Sequence, residues 1–225
     1  KKKKKRVVAC VVIVNLGILI FLKYFNFIAE NINAVFGRIG VGRSIPMLTL
    51  LLPLGISFYT LTAMGYVIDV GRENCEAEGN FLKILLFLSY FPAVTQGPFN
   101  RYAPMKEQFR QTHEFDYGRM LRGIQRFVWG AFKKLVIADR IGIFVDRVFE
   151  SDAASVPGSI LACAVVFYMI QLYADFSGYI DMAMGVSESF GIVLPENFKR
   201  PYFSRSVAEL WRRWHITLGT WFKDY

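Results

Sequence analysis

Histidine, cysteine and dispersed charge are what this 225-residue sequence has least of, and each shortage narrows what the chain can be. There are two histidines, His113 and His215, and three cysteines, Cys10, Cys75 and Cys163, far apart and without metal-ligand spacing. That pattern excludes a zinc ribbon or a paired disulfide framework, and no metal site is expected. Cys10 and Cys163 lie in apolar runs and read as small buried hydrophobes, in lipid or in a reducing compartment. There is no glycine-rich phosphate loop and no internal repeat, the latter being the usual sign of a transporter. The net charge is +9, but Lys1 to Arg6 supply six of those charges and leave +3 for everything else. A basic block abutting an apolar run is a membrane-topology signal, so no nucleic-acid partner is expected. The sequence has no initiator methionine and stops inside a helical pattern, which predicts a piece of a longer protein.

What is abundant is apolar surface: 54% of residues are hydrophobic, and they are gathered into runs longer than a soluble core needs. The first span is expected from about Val7 to Ala29, with Lys1 to Arg6 on the cytoplasmic side and no cleavage site of the signal-peptide kind behind it. A loop containing Asn31, Asn33, Gly37, Arg38, Gly40 and Gly42 should follow, and Pro46 should open a second span reaching about Val70. Gly71 to Asn80 reads as a polar cytoplasmic link. The run Ile84 to Phe91 is too short to cross before Pro92, Thr95, Gln96 and Gly97 interrupt it, which predicts a re-entrant or broken helix. This keeps the arginines of Asn100 to Arg126 on the cytoplasmic face, and His113 belongs to that link as a solvated surface residue.

Gly123 to Glu150 is apolar but carries Lys133, Lys134, Asp139, Arg140, Asp146 and Arg147, so it should lie obliquely or at the interface with its charges paired, Asp139 with Arg140. A polar turn from Ser151 to Gly158 precedes a third span, Ser159 to about Tyr173, that runs on into Asp175, Ser177, Gly178, Tyr179 and Asp181. Carboxylates at membrane depth are candidates for function because of their desolvation cost. Six residues apart, Asp175 and Asp181 do not share a helix face, so a paired-carboxylate mechanism competes evenly with each acid anchoring an arginine such as Arg205, Arg212 or Arg213.

The last stretch, PENFKRPYFSRSVAELWRRWHITLGTWFKDY from Pro195 to Tyr225, concentrates aromatics, cations and a histidine. Ser206 with Glu209 fits a capping box. From it, Val207, Leu210, Trp211, Trp214, Leu218, Trp221, Phe222 and Tyr225 fall on one apolar arc of a helix expected to run to Tyr225. Glu209, Arg212, Arg213, Lys223 and Asp224 take the opposite arc, and His215 sits at the border, where it suits either proton chemistry or a structural hydrogen bond.

That stretch, together with YADFSGYIDMAMG (Tyr173 to Gly185), PLGISFYTL (Pro53 to Leu61), FPAVTQGPFNR (Phe91 to Arg101) and WGAFKKLVIADR (Trp129 to Arg140), resembles the membrane-bound O-acyltransferase family. It is most similar to the alginate O-acetyltransferase branch, because the related teichoic acid D-alanyl transferases are expected to carry a neutral residue in place of Arg212. The resemblance implies a single membrane domain over residues 1–225, incomplete at its C-terminal side. Its fold would be an all-α, polytopic membrane helix bundle with a broken or re-entrant helix and interfacial amphipathic helices. It also implies two important histidines, of which His215 matches the first, the second lying in a later apolar segment that this sequence does not include. A bacterial inner membrane location follows, with periplasmic acetyltransferase partners that modify an exopolysaccharide.

Acyl transfer to a hydroxyl needs a base, donors for the developing oxyanion and exclusion of water. The expected assignment is His215 as catalytic residue and Trp211, Trp214, Asp175, Ser177, Tyr179, Asp181 and Asn197 as walls of a substrate tunnel. Lys199, Arg200, Arg205, Arg212 and Arg213 would hold the phosphates of a donor such as acetyl-CoA or another acyl thioester, with no resident cofactor. A non-catalytic membrane scaffold for a separate transferase, and a transporter of cell-envelope intermediates, are the alternatives.

Overall fold

The structure, a computed structural model, describes residues 2–40, 42–152 and 155–225. Lys1 of the basic block, and Ala153 and Ala154 of the turn expected from Ser151 to Gly158, lie outside the described residues. Among the described residues the regular structure is entirely helical. The helices are α1 (Lys2–Arg38), α2 (Ile56–Arg72), α3 (Phe81–Leu88), α4 (Tyr102–Arg110), α5 (Tyr117–Phe132), α6 (Asp139–Glu150), α7 (Gly158–Ser189), α8 (Val207–Arg213) and α9 (Ile216–Asp224). A π turn, Lys133–Ala138, joins α5 to α6, and a 3-10 turn, Pro201–Phe203, precedes α8. The chain forms two compact units, one holding residues up to Ser89 with Arg101–Ala103 and Tyr225, the other Tyr90–Asn100 and Pro104–Asp224.

In the first unit, α1 is longer than its expected Val7 to Ala29 because the asparagines read as loop residues act as backbone partners instead. Asn33 accepts from Ile45 N (2.7 Å) and donates to its carbonyl (2.9 Å). One heptad earlier, Asn26 does the same with Leu48 at 3.0 and 2.9 Å. Two amides on one face thus tie the extended segment 42–53 along α1, satisfying backbone that would otherwise be bare. Pro46 therefore sits in that extended segment and does not open the second span. Helix α2 starts only at Ile56, after Gly55 in the left-handed conformation (φ 75°). Its 17 residues rise about 26 Å, short of the ~30 Å hydrocarbon core. Among the described residues, only α1 and α7 are both long and apolar enough to cross, and the apolar stretch of α1 is unburied. Cys10 and Cys163, expected to be small hydrophobes buried in the protein or lying in lipid, are not covered by protein and stand exposed on these two helices, with Cys75 half-buried.

Residues 81–97 follow the expected break: α3 is eight residues, capped by the Asn80 side chain accepting from Leu82 N, and turns follow it.

The second unit is built on α7, which continues unbroken through Gly178. Gly123 and Gly130 of α5 lie against Gly185 and Gly178 of α7, at seven-residue spacing on both. A Cβ on Gly130 would stand 2.5 Å from the Gly178 carbonyl oxygen, and one on Gly185 2.5 Å from that of Gly123. Small residues of this kind let helix backbones approach in lipid. The close contact brings the charges of the α5 to α6 segment onto α7. Lys133 Nζ donates to Asp181 (2.5 Å) and Ser177 Oγ (2.9 Å), and Arg126 Nε binds the other Asp181 oxygen at 3.0 Å. Lys134 bridges Asp139 and Asp175, each at 2.6 Å. Lys133, Lys134 and Asp139 are paired, as charge in an apolar segment requires, but with different partners from those expected, while Arg140, Asp146 and Arg147 are exposed and make no ion pair among the described residues. Asp139 takes Lys134 and not Arg140, while Asp175 and Asp181 take Lys134, Lys133 and Arg126, with no contact to Arg205, Arg212 or Arg213. His113, expected to be solvated, is half-buried, its Nε2 2.8 Å from the Gln108 carbonyl.

Gly130→Leu, measured in the intact protein extracted in detergent, should destabilise it by about 1–3 kcal/mol through overpacking. Gly17→Leu, at a site with nothing within 4 Å, should stay within about 0.5 kcal/mol of wild type in the same thermal-unfolding assay.

Candidate functional site

The helix expected to run from Ser206 to Tyr225 is two helices. Ser206 caps α8 as predicted, its hydroxyl accepting from Glu209 N at 3.2 Å. The reciprocal contact is shifted by one residue, since the Glu209 carboxylate takes the backbone N–H of Arg205 (2.8 Å). That bond, before the nearby arginines, holds the Glu209 carboxyl below its ordinary range. α8 ends at Arg213, and His215 adopts φ 44°, a left-handed conformation rare for a residue with a Cβ. α9 then starts at Ile216.

Asn197, of the PENF sequence, holds this break together and is fully buried. Its carbonyl accepts from Ile216 N (3.0 Å), and Lys199 N donates to the Arg213 carbonyl (2.9 Å), so the 197–199 segment runs along the break. Its side-chain Oδ1 accepts from Thr217 N (3.1 Å) and Thr217 Oγ1 (2.8 Å), serving as a cap for α9 contributed from a distant part of the chain. The same oxygen lies 3.1 Å from His215 Nδ1. Because a backbone N–H can only donate, the atom facing Thr217 N is the amide oxygen, and His215 Nδ1 must carry the proton that points at it. The lone pair of the ring therefore sits on Nε2, which has no hydrogen-bond partner among the described residues. Asn197 Nδ2 is buried without a partner.

Aromatic rings box in the imidazole. Phe176 of α7 meets it edge to face at 4.8 Å between centroids, and Phe99 lies at 5.9 Å. Phe99 N also donates to Thr217 Oγ1 at 3.0 Å, extending the network to the turn after the broken helix. Trp214 packs on Phe198 at 5.0 Å and reaches Tyr173 at 6.2 Å and Tyr202 at 6.1 Å. This burial disfavours the imidazolium and pushes His215 down to about 4, so the ring is neutral at pH 7.

The structure separates the residues expected to line one tunnel into two groups. Trp214 and Asn197 join His215. Asp175, Ser177 and Asp181 belong to the lysine network on α7, and Tyr179 lies under Lys134, its ring centroid 5.4 Å from Nζ. Tyr179 also lines a cavity of about 220 Å³ with Thr95, Gln96 and Met182. Trp211 is 63% exposed and stands apart from both groups. Of the expected phosphate-binding cations, Lys199, Arg200, Arg205 and Arg212 are exposed. Arg213 is not available, being tied to Glu209 at 2.5 Å in the same helix. Among the described residues, no three His, Cys, Asp or Glu side chains are placed to hold a metal ion.

Lys133, Thr217, Phe99 and Phe176 were missed as site residues. The lysine had a signal, since a cation in an apolar segment requires a partner and two acids lie in the following span. The other three had none, because their roles depend on contacts between distant segments.

The family profile described as MBOAT, membrane-bound O-acyltransferase family, matches residues 76–225. The chain is 41% identical over 95% of its length to a probable alginate O-acetylase AlgI of Pseudomonas syringae pv. tomato, covering 40% of that protein. It is 35% identical over 95% of its length to the peptidoglycan O-acetyltransferase of Helicobacter pylori, of which it covers 44%. Against the teichoic acid D-alanyltransferase of Streptococcus thermophilus, identity is 31% over 76% of the chain and 42% of the relative. The chain thus spans about two fifths of the length of these relatives.

The low proton affinity of His215 has a signed consequence. Unfolded, a histidine takes its proton near pH 6.5; folded, this one does so at about 4. Between those values the unfolded chain binds more protons, so the site's contribution to stability is present above about pH 6.5 and is lost as pH falls toward 4. His215→Gln should flatten the acid side of the stability curve relative to wild type in detergent-solubilised intact protein.

Proposed function

Because the chain belongs to the membrane-bound O-acyltransferase family, whose members are membrane proteins, we propose that it moves an acetyl or other acyl group from a cytoplasmic thioester such as acetyl-CoA to hydroxyls of an extracytoplasmic polysaccharide. The setting is the bacterial inner membrane, crossed several times, with periplasmic acetyltransferases as partners. The observation that carries this reading is the half-buried, neutral His215, turned by Asn197 so that Nε2 presents its lone pair.

In the reaction the acceptor oxygen forms a bond to the thioester carbonyl carbon, the carbon–sulfur bond breaks, and the hydroxyl proton leaves as the thiol is formed. His215 Nε2 would accept that hydroxyl's hydrogen. The aromatic box keeps water away from a donor it would otherwise hydrolyse. Lys199, Arg200, Arg205 and Arg212 are the exposed cations able to meet donor phosphates. The relatives, which include a probable alginate O-acetylase and a peptidoglycan O-acetyltransferase, support a hydroxyl-bearing envelope or secreted polymer as acceptor and acetyl as the group moved.

The depressed proton affinity of His215 favours a second reading of its role. A ring that protonates only at about 4 is a weak base at neutral pH and a good hydrogen-bond acceptor, so it can orient the hydroxyl while another group removes the proton.

Membranes carrying the intact protein, incubated with radiolabelled acetyl-CoA and acceptor polymer, test both. His215→Ala should lower kcat about 10²–10⁴-fold. Unchanged transfer would leave only a scaffold role for this part of the protein. If the base is elsewhere, the pH–rate profile of the wild type will show no limb near 4. In the same assay Arg205→Gln with Arg212→Gln should raise KM for acetyl-CoA several-fold at nearly constant kcat, because the lost interactions hold a part of the donor that does not react.

A further inference from the structure

The basic block at the start of the chain does more than mark a topology, because in the first unit it stands at the mouth of a cleft between α1 and α2. The cleft has a volume of about 600 Å³, within the range of ligand pockets, ~300–1,000 Å³. Its two ends differ in chemistry. At one end Lys4, Lys5, Arg72 and Glu73 form the rim; from there the walls continue as Val8, Ala9, Val12 and Ile68. Three cations face one carboxylate, and that carboxylate is engaged by Lys4 at 3.1 Å. Arg72 is steadied over the Tyr225 ring, 5.8 Å from its centroid. Lys3 and Arg6, both exposed on the same turns of α1, add further positive charge around the rim.

The floor is made by a close approach of the two helices. A Cβ on Gly71 would stand 2.7 Å from a Val8 methyl, so a larger residue there would push the Val8 side chain aside or part the two helices. Above that contact the helices leave the apolar walls uncovered, and the apolar stretch of α1 is unburied throughout. The cleft therefore opens sideways along a helix long enough to cross a bilayer, with its cationic end where the helix begins.

We infer that this cleft is a binding site for one anionic phospholipid, its phosphate on Lys4, Lys5 and Arg72 and an acyl chain along Val8, Val12 and Ile68. A soluble anion would use the rim but has no need of the walls, and a zwitterionic lipid would use the walls but gains less from three cations, because its own ammonium group opposes them. The combination of a net positive rim and a continuous apolar groove selects a molecule that has both parts. The cleft shares no residue with the His215 site and does not rest on the acyltransferase reading.

The test is native mass spectrometry of the intact protein in detergent, titrated with phosphatidylglycerol, with phosphatidylcholine, or with inorganic phosphate. One phosphatidylglycerol should be retained, in preference to phosphatidylcholine. The double variant Lys5→Gln, Arg72→Gln should weaken its retention about tenfold or more. Ile68→Trp, which fills the groove and leaves every cation in place, should abolish retention. Both variants should elute as wild type does. Equal retention of the two lipids, unchanged retention in either variant, or displacement of phosphatidylglycerol by inorganic phosphate at equal concentration would each overturn the assignment.

Discussion

Because Gly123 and Gly130 lie on Gly185 and Gly178 with no side chain between them, α5 and α7 approach closely enough for short-range chemistry to join them. Lys133 can then reach both Ser177 and Asp181, and Lys134 can reach Asp175. With larger residues at those four positions the helix axes would separate, and charges in an apolar segment would lose the partners that make them tolerable there. The same contact fixes where α7 presents Tyr173 and Phe176, the rings that meet Trp214 and His215. The site near the end of the chain thus depends on a glycine seam tens of residues earlier.

His215 depends on a second constraint, the left-handed residue between α8 and α9. A non-glycine residue with φ 44° is a local cost, of order 1–3 kcal/mol, and the surroundings offset it by hydrogen bonds that only this geometry permits. Had α8 continued through Trp214 and His215, Thr217 N would have bonded within the helix, and Asn197 would have been buried with nothing to accept. The break and the asparagine explain each other. Between them they set the tautomer of the ring, and through it which nitrogen is offered to a ligand.

The family resemblance added the all-helical fold, while composition and periodicity were enough to expect long apolar spans, the interrupted helix after Leu88, partners for the lysines between α5 and α6 and the Ser206 cap. These follow from local rules: length against bilayer thickness, proline against helix, buried charge against solvation. Expectation failed where a distant residue overrides a local preference. Asn31 and Asn33 looked like loop residues, but Asn31 binds the Phe27 carbonyl within α1 and Asn33 had the backbone of Ile45 to bind. The apolar arc from Val207 to Tyr225 had perfect helical spacing, and Asn197 nonetheless cut it in two. Asp139 beside Arg140 suggested a pair by adjacency, although neighbours on a helix point about 100° apart and do not face each other. Motif resemblance located His215 and Asn197 together in one stretch, but nothing in the spacing of PENF and WRRWH disclosed that one orients the other.

The ion pairs of the second unit are better understood as setting register than as adding stability. Transferring paired charges out of water roughly cancels what their attraction returns, so Lys133 with Asp181 is weak evidence for a stable fold. Displacement is another matter. Sliding α7 by four residues along α5 moves Asp181 about 6 Å from Lys133 and brings Ala174 or Met182 over Gly130 in place of Gly178. The first change leaves a lysine that is 8% exposed without its carboxylate, and the second drives a side chain into backbone. Each alternative register is penalised twice, by charge and by volume, while apolar packing alone would distinguish them poorly in lipid, where there is little hydrophobic drive between helices. A protein that must hold one imidazole against rings from a neighbouring helix needs that register, and it is the glycines and lysines together that exclude the others.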